Sequence, residues 1–314
     1  MKLNLSLSKG FSNHRSGWKY CLDSLRSYHS TSGIFVEDFI ERSFSWELGH
    51  NKNIPYNFPW VGFLHNPHNM PKFFDYIHSP QAIFARPVFQ ESLRNCRAIV
   101  VLSDYLGEWV SGQVEVPVIS VKHPTGTGPL WDMRTFLQKR PRTLAQVGYW
   151  LRDISSIALV DIPANYQKIC LPSNRKSFDT IVSAQRLSGS ISHTEFDRRW
   201  SSIKILDYLS NKEYDDIYST SIIYLDLYDS SANNAIVEAM VRGTPVLTRP
   251  HPAVVEYLGG GYPLYFNDKK DCYDLLLNTD RIIEAHEYLM NLDKKWIDGR
   301  YFAAKVMDSL KGVL

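Results

Sequence analysis

Seven residues, Tyr228-Asp229-Ser230-Ser231-Ala232-Asn233-Asn234, separate a strongly apolar run at 222–227 from a stretch in which Ala235, Ile236, Ala239, Met240 and Gly243 recur at helical spacing. The pattern predicts a strand, a polar turn and a helix. A helix start carries four backbone N–H groups with no partner inside the helix, and the peptide dipoles favour negative charge there. Side chains as small as Ser230, Ser231, Asn233 and Asn234 let an anion such as a diphosphate come close. The same residues also serve as plain caps, Ser231 or Asn233 first among them. One turn further on, Glu238 can accept two hydroxyl hydrogen bonds from a ribose whose diphosphate rests on the helix end. A helical Glu without any ligand is the alternative.

Arg152 follows an apolar run ending at Gly148 and can neutralise the same diphosphate as a leaving group departs, or it is a solvated surface Arg. Arg249 closes the next run, 244–248, and is the second candidate clamp; Lys122 and His123 are weaker ones. His65 ends the run 60–64 ahead of Asn66-Pro67-His68-Asn69, where it can meet a hydroxylated substrate, move a proton near neutral pH, or simply bond to loop backbone. His65 and His68 lack the Asp or Cys that would complete a metal motif, and no metal is expected.

These residues need a scaffold, and the chain is long enough for two domains: 314 residues, 44% hydrophobic, with 35 Lys plus Arg against 33 Asp plus Glu. A net charge of +2 offers no field for collecting nucleic acid, so a basic binding module is excluded. Cys21, Cys96, Cys170 and Cys272 stand far apart, with neither zinc spacing nor a disulfide framework, which suits a reducing compartment. No signal peptide or membrane span is evident, and a soluble cytoplasmic protein is expected, with peripheral membrane association left open.

Short apolar runs at 3–7, 34–35, 60–64, 98–102 and 116–121 predict strands, with helices at 18–28 and 105–111, the latter capped by Ser103-Asp104. The breaker-rich stretch His123-Pro124-Thr125-Gly126-Thr127-Gly128-Pro129 marks a boundary. Beyond it, strands are expected at 144–147, 222–227, 244–248 and 264–266. Ser210 and Glu213 have capping-box spacing, residues 288–310 form one or two helices, and 173–199 has no clear period.

The block YDSSANNAIVEAMVRGTPVLTRPHPAVVEYLG, residues 228–259, resembles the donor-binding signature of GT-B glycosyltransferases, closest to the retaining E-x7-E group typified by glycosyltransferase family 4. In that frame the ribose-binding Glu falls on Glu238, the small-residue pattern on Gly243, Thr244 and Pro245, and a later Glu on Glu256. The first motif Glu is replaced: Ser230 stands eight positions before Glu238, and Asp229 nine. GYWLRD at 148–153 resembles the Gly and basic segment that meets the diphosphate, without the usual Lys-Gly after it. Residues 12–17, ending at Gly17, occupy the place of the first glycine-rich loop. His65 matches a histidine that approaches the transferred sugar, and VLSDYLGEWV at 101–110 resembles the strand and helix before the crossing between domains.

The resemblance implies an α/β protein of two Rossmann-like domains facing across a cleft. Residues 1–125 would form the acceptor domain, 126–295 the donor domain, and the helix at 296–314 would pack back on the first. It implies a nucleotide-sugar donor with no cofactor, its diphosphate on Asn233, Asn234 and Arg152, its ribose on Glu238, and its sugar between His65 and Asp229 or Ser230. Gly17 and Gly148 would line the donor. Retention without a metal is implied; an inverting enzyme would need a base such as His14, Asp104 or His65. A sugar-nucleotide epimerase or hydrolase and a non-catalytic nucleotide- or glycan-binding subunit are the alternatives. A dinucleotide oxidoreductase lacks its GxGxxG.

Overall fold

The computed structural model describes residues 1–6, 17–50, 53–172, 174–188, 191–207 and 209–313. Leu7 of the expected first strand, residues 12–16 of the first loop with His14, and Ser173 lie outside the described residues. The chain forms two compact units, one of residues 1–126, 229–237 and 294–314, the other of 127–228 and 238–293.

The first unit is built on β1 (Leu3–Asn4), β2 (Ile34–Glu37), β3 (Trp60–Leu64), β4 (Cys96–Val101) and β5 (Val118–Ser120), all parallel and in the spatial order β1-β2-β3-β4-β5. Continuous apolar runs suit strands covered on both faces. Val61, Phe63, Ala98 and Val100 face one core, shared with Trp18, Cys21, Leu22 and Leu25 and with Phe302, Val306 and Leu310. Trp60, Leu64, Ile99 and Val101 face the other, with Phe44, Ile83, Phe89 and Leu106. The period of two along each strand makes this division. The C-terminal helix Gly299–Lys311, whose first amides are capped by Asp298, thus completes the core of the first unit. At Gly299 a Cβ would stand 2.2 Å from Ser24 Oγ, so only glycine admits this approach to the Trp18–Ser24 helix.

The second unit holds β6 (Arg142–Val147), β7 (Tyr166–Leu171), β8 (Lys204–Ile205), β9 (Ile222–Leu225) and β10 (Val246–Thr248), parallel, in the order β10-β9-β6-β7-β8. The chain travels outward from β6 to β8 and then restarts on the other side at β9. A reversal of this kind marks the place, beyond the carboxyl ends of β6 and β9, where α/β sheets form a ligand crevice.

The run 264–266 departs from expectation. Its apolar side chains are buried, but it makes only an isolated bridge from Tyr265 to Thr248 and is no strand. Residues Arg175–Ser188 and His193–Trp200 are helices despite their polarity: Phe178, Val182 and Phe196 supply the inner stripe, and ion pairs such as Arg186–Asp197 and Arg199–Glu195 occupy the outside. The Ser210–Glu213 capping box is present in full on the Asn211–Thr220 helix. All four cysteines are free and buried, Cys21 and Cys96 in the first unit, Cys170 and Cys272 in the second. Among the described residues no helix is long and apolar enough to cross a membrane.

Candidate functional site

In the second unit, β6 ends at Val147 and the chain turns at Gly148 with φ +72°, a conformation in which a Cβ is disfavoured and would also lie 3.1 Å from the Arg152 guanidinium carbon. Leu151 follows at φ +54°, an uncommon setting for a branched side chain. The turn is held because it is zipped to the segment leaving β9. Arg152 bridges Leu227, the Tyr228 N–H donates to the Leu151 carbonyl at 3.0 Å, and the Asp153 N–H donates to the Asp226 carbonyl at 2.8 Å. Buried Gln185 braces it from below, accepting from the Ser155 N–H and donating to the Arg152 carbonyl and the Tyr228 hydroxyl.

Arg152 therefore sits at the strand-order reversal, 8% exposed, its Nη1 donating to the Trp150 carbonyl at 2.8 Å. Burial pushes its pKa down to about 10, against nearby Tyr218, Tyr214 and Tyr149. It remains a cation at neutral pH. Arg249, beyond β10, is held by Asp226, to which its Nε donates at 2.8 Å, and by the Asn267 carbonyl, to which its Nη1 donates at 2.5 Å. Lys269 lies 3.5 Å from the same Asp226 and 3.3 Å from Asp153. Burial raises the Asp226 pKa, with Lys269 and Arg249 opposing it.

Glu238 is on the Asn234–Arg242 helix and is 2% exposed. Its carboxylate meets the Tyr214 hydroxyl and lies 3.6 Å from Arg242, whose fully buried guanidinium also bonds Asp215 at 2.8 Å and covers the Tyr218 ring. Burial, then Tyr218 and Glu238, push the Tyr214 phenol well up, so it stays a donor. Neither this buried network nor Gln185 was visible in the residue pattern, because Tyr214 and Asp215 lie on a different helix from Glu238.

Within the first unit, the start of that helix is organised by Asp229. Its carboxylate accepts from the Asn69 N–H at 2.6 Å, the Tyr105 hydroxyl at 3.1 Å and the Ser230 N–H at 2.8 Å. Burial, then Asp229, pushes the Tyr105 pKa up to about 12. Ser231 Oγ lies 3.2 Å from Ser103 Oγ, and Ala232 packs on the apolar core. Asn233 is the cap: its side chain accepts from the Ala235 N–H at 3.1 Å, while its carbonyl takes the first helical bonds from Ile236 and Val237. Ser230 and Ser231 are buried, and Asn234 is exposed.

His65, also in the first unit, stacks on Phe39 with ring centroids 3.8 Å apart and meets Trp18 edge to face at 4.4 Å. Its backbone N–H donates to buried Glu41 at 2.7 Å, and no residue pattern had pointed to that carboxylate. Gly17 is buried at the start of the Trp18–Ser24 helix, its carbonyl accepting from Tyr20.

No protein-family model and no curated protein sequence matches the chain. Solved structures do. Sucrose-phosphate synthase from Thermosynechococcus elongatus is similar at 14% identity with a TM-score of 0.61, covering 94% of this chain and 77% of its own. An E. coli trehalose-6-phosphate protein bound with UDP-2-fluoro glucose gives 13%, 0.61, 94% and 77%. A point mutant of S. aureus TarM, in complex with fondaparinux, alpha-GlcNAc-glycerol and UDP, gives 12%, 0.60, 93% and 58%. Two parallel five-stranded α/β units and this likeness over nearly the whole length give the chain the GT-B fold.

Proposed function

We propose that the protein transfers a sugar from a nucleotide-diphosphate donor to a hydroxyl of a glycan or another acceptor, with retention of anomeric configuration and without a metal. The observation that carries this reading is the 148–152 turn, which is zipped to residues 226–228 at the strand-order reversal and holds a buried Arg152 there. A fixed cation at such a crevice suits a diphosphate. UDP in the TarM structure and a UDP-sugar in the E. coli structure support a uridine diphosphate donor.

In this reading the diphosphate takes Arg152 and the first amides of the Asn234–Arg242 helix, with Arg249 adding charge from beside Asp226. Gly148 and Gly17 let backbone approach. Glu238 binds the ribose by exchanging its Tyr214 contact for two hydroxyls, and the sugar meets His65 and Asp229 or Ser230. The acceptor oxygen bonds to the anomeric carbon on the face the diphosphate leaves, the bond to the phosphate oxygen breaks with its electron pair, and the acceptor proton passes to that oxygen. Charge grows on the leaving diphosphate, so Arg152 and the amides stabilise the transition state more than the bound donor.

Titrating UDP, GDP and ADP with their glucose conjugates tests this reading by thermal shift and calorimetry. One nucleotide diphosphate raises the melting temperature, and Arg152→Met weakens its binding tenfold or more while the variant stays folded. Failure of every nucleotide to bind, or wild-type affinity in Arg152→Met, sinks the proposal. The product's anomeric configuration reads the stereochemistry. A second reading, a nucleotide-binding subunit without transfer, is favoured by Asp229, whose carboxylate already accepts three hydrogen bonds. Turnover of a donor onto any hydroxyl acceptor excludes it.

A further inference from the structure

Glu41 follows β2 and is completely buried in the first unit. Its Oε1 accepts the backbone N–H of His65 at 2.7 Å and that of Asn66 at 2.5 Å, so one carboxylate oxygen fixes the turn at the carboxyl end of β3. Its Oε2 lies 3.5 Å from His65 Nδ1, and among the described residues neither that buried oxygen nor either buried imidazole nitrogen has another hydrogen-bond partner. The ring cannot swing away, because Phe39 lies parallel to it at 3.8 Å and Trp18 stands perpendicular at 4.4 Å. Two further rings lie in this region: burial pushes His123 down to about 4, so it brings no charge at neutral pH, and burial also lowers His78, with Glu41 among the groups opposing it.

A neutral imidazole carries one N–H and one lone pair, and its neighbours choose which nitrogen has which. A lone pair on Nδ1 facing a buried carboxylate oxygen is repelled, whereas an N–H there is attracted, and low polarity amplifies the difference. We propose that Glu41 is a positioning residue that locks His65 as the Nδ1–H tautomer and leaves the lone pair on the buried Nε2. The tautomer does not depend on the transfer reading above.

Long-range proton–nitrogen NMR of the full chain with 15N-labelled histidine, assigned with His65→Asn, reads the tautomer directly. Wild type carries its proton on Nδ1. Glu41→Gln keeps an oxygen for the two amides and turns an NH2 toward Nδ1, so the proton moves to Nε2. A wild-type His65 protonated on Nε2, or a Glu41→Gln spectrum unchanged from wild type, overturns the proposal. Should Glu41→Gln not fold, the wild-type spectrum alone decides.

Discussion

Two of the charged residues that the fold buries carry opposite burdens. Arg152 is the cation we propose for a diphosphate, whereas Lys168 on β7 donates to backbone carbonyls. Its Nζ donates to Val160 at 2.5 Å and to Ala158 at 3.4 Å, and burial, with Arg199 nearby, pushes its pKa down to about 8. The unfolded lysine titrates near ~10.4, so between the two values the folded chain holds fewer protons and stability rises with pH. Below pH 8 both states are charged and the cost of burying the ammonium is constant. The difference in unfolding free energy between wild type and Lys168→Met therefore shifts in favour of wild type by roughly 2–3 kcal/mol from pH 7 to 10.5. Urea unfolding at a series of pH values measures it; a flat difference contradicts a depressed Lys168.

At the level of the element, the 148–152 turn does what neither of its flanking strands can: it points a cation beyond the sheet. Gly148→Ala meets both the positive φ and the Arg152 guanidinium, and destabilises by about 1–2 kcal/mol. Because the new methyl displaces Arg152, donor affinity falls further than stability alone explains. Denaturant midpoints and donor titration together check this; normal affinity in a folded Gly148→Ala would detach the turn from binding.

The elements also show what residue patterns reveal. Strands β3, β4 and β6 stand out as apolar runs, and the Ser210 cap as a motif, because each is written in adjacent residues. The Arg175–Ser188 and His193–Trp200 helices do not, since their stability comes from a thin apolar stripe and surface ion pairs. For β7, Gln167 and Lys168 interrupt a run whose inner half, Ile169 to Leu171, is short. In the candidate site, Gly148, Arg152, Asp229 and Glu238 are legible by type and spacing, while their partners are not. Glu41 meets His65 across 24 positions and Asn69 meets Asp229 across 160, distances that only the folded chain closes.

On the scale of the molecule, each unit has its own interior, and the chain's last helix belongs to the first. Phe302 is fully buried there among Trp18, Leu22 and Phe63 in one continuous core. Phe302→Ala leaves a cavity that costs about 3–5 kcal/mol. Hydrogen exchange locates the damage: amides of β1 to β4 lose protection while those of β6 and β7 keep theirs. Uniform loss across both sheets would show that the two interiors do not open separately.

The four enclosed thiols turn that distinction into a practical instrument. Burial keeps each sulfur protonated as well as sheltered, raising Cys96 and Cys272 to about 12 and Cys21 and Cys170 higher still. An alkylating reagent thus finds no target on the intact protein, and each adduct records an opening event. Mass spectrometry of the tagged peptides then names the half that breathed, Cys21 and Cys96 for one and Cys170 and Cys272 for the other. A single cysteine added on the surface becomes a clean handle for a dye.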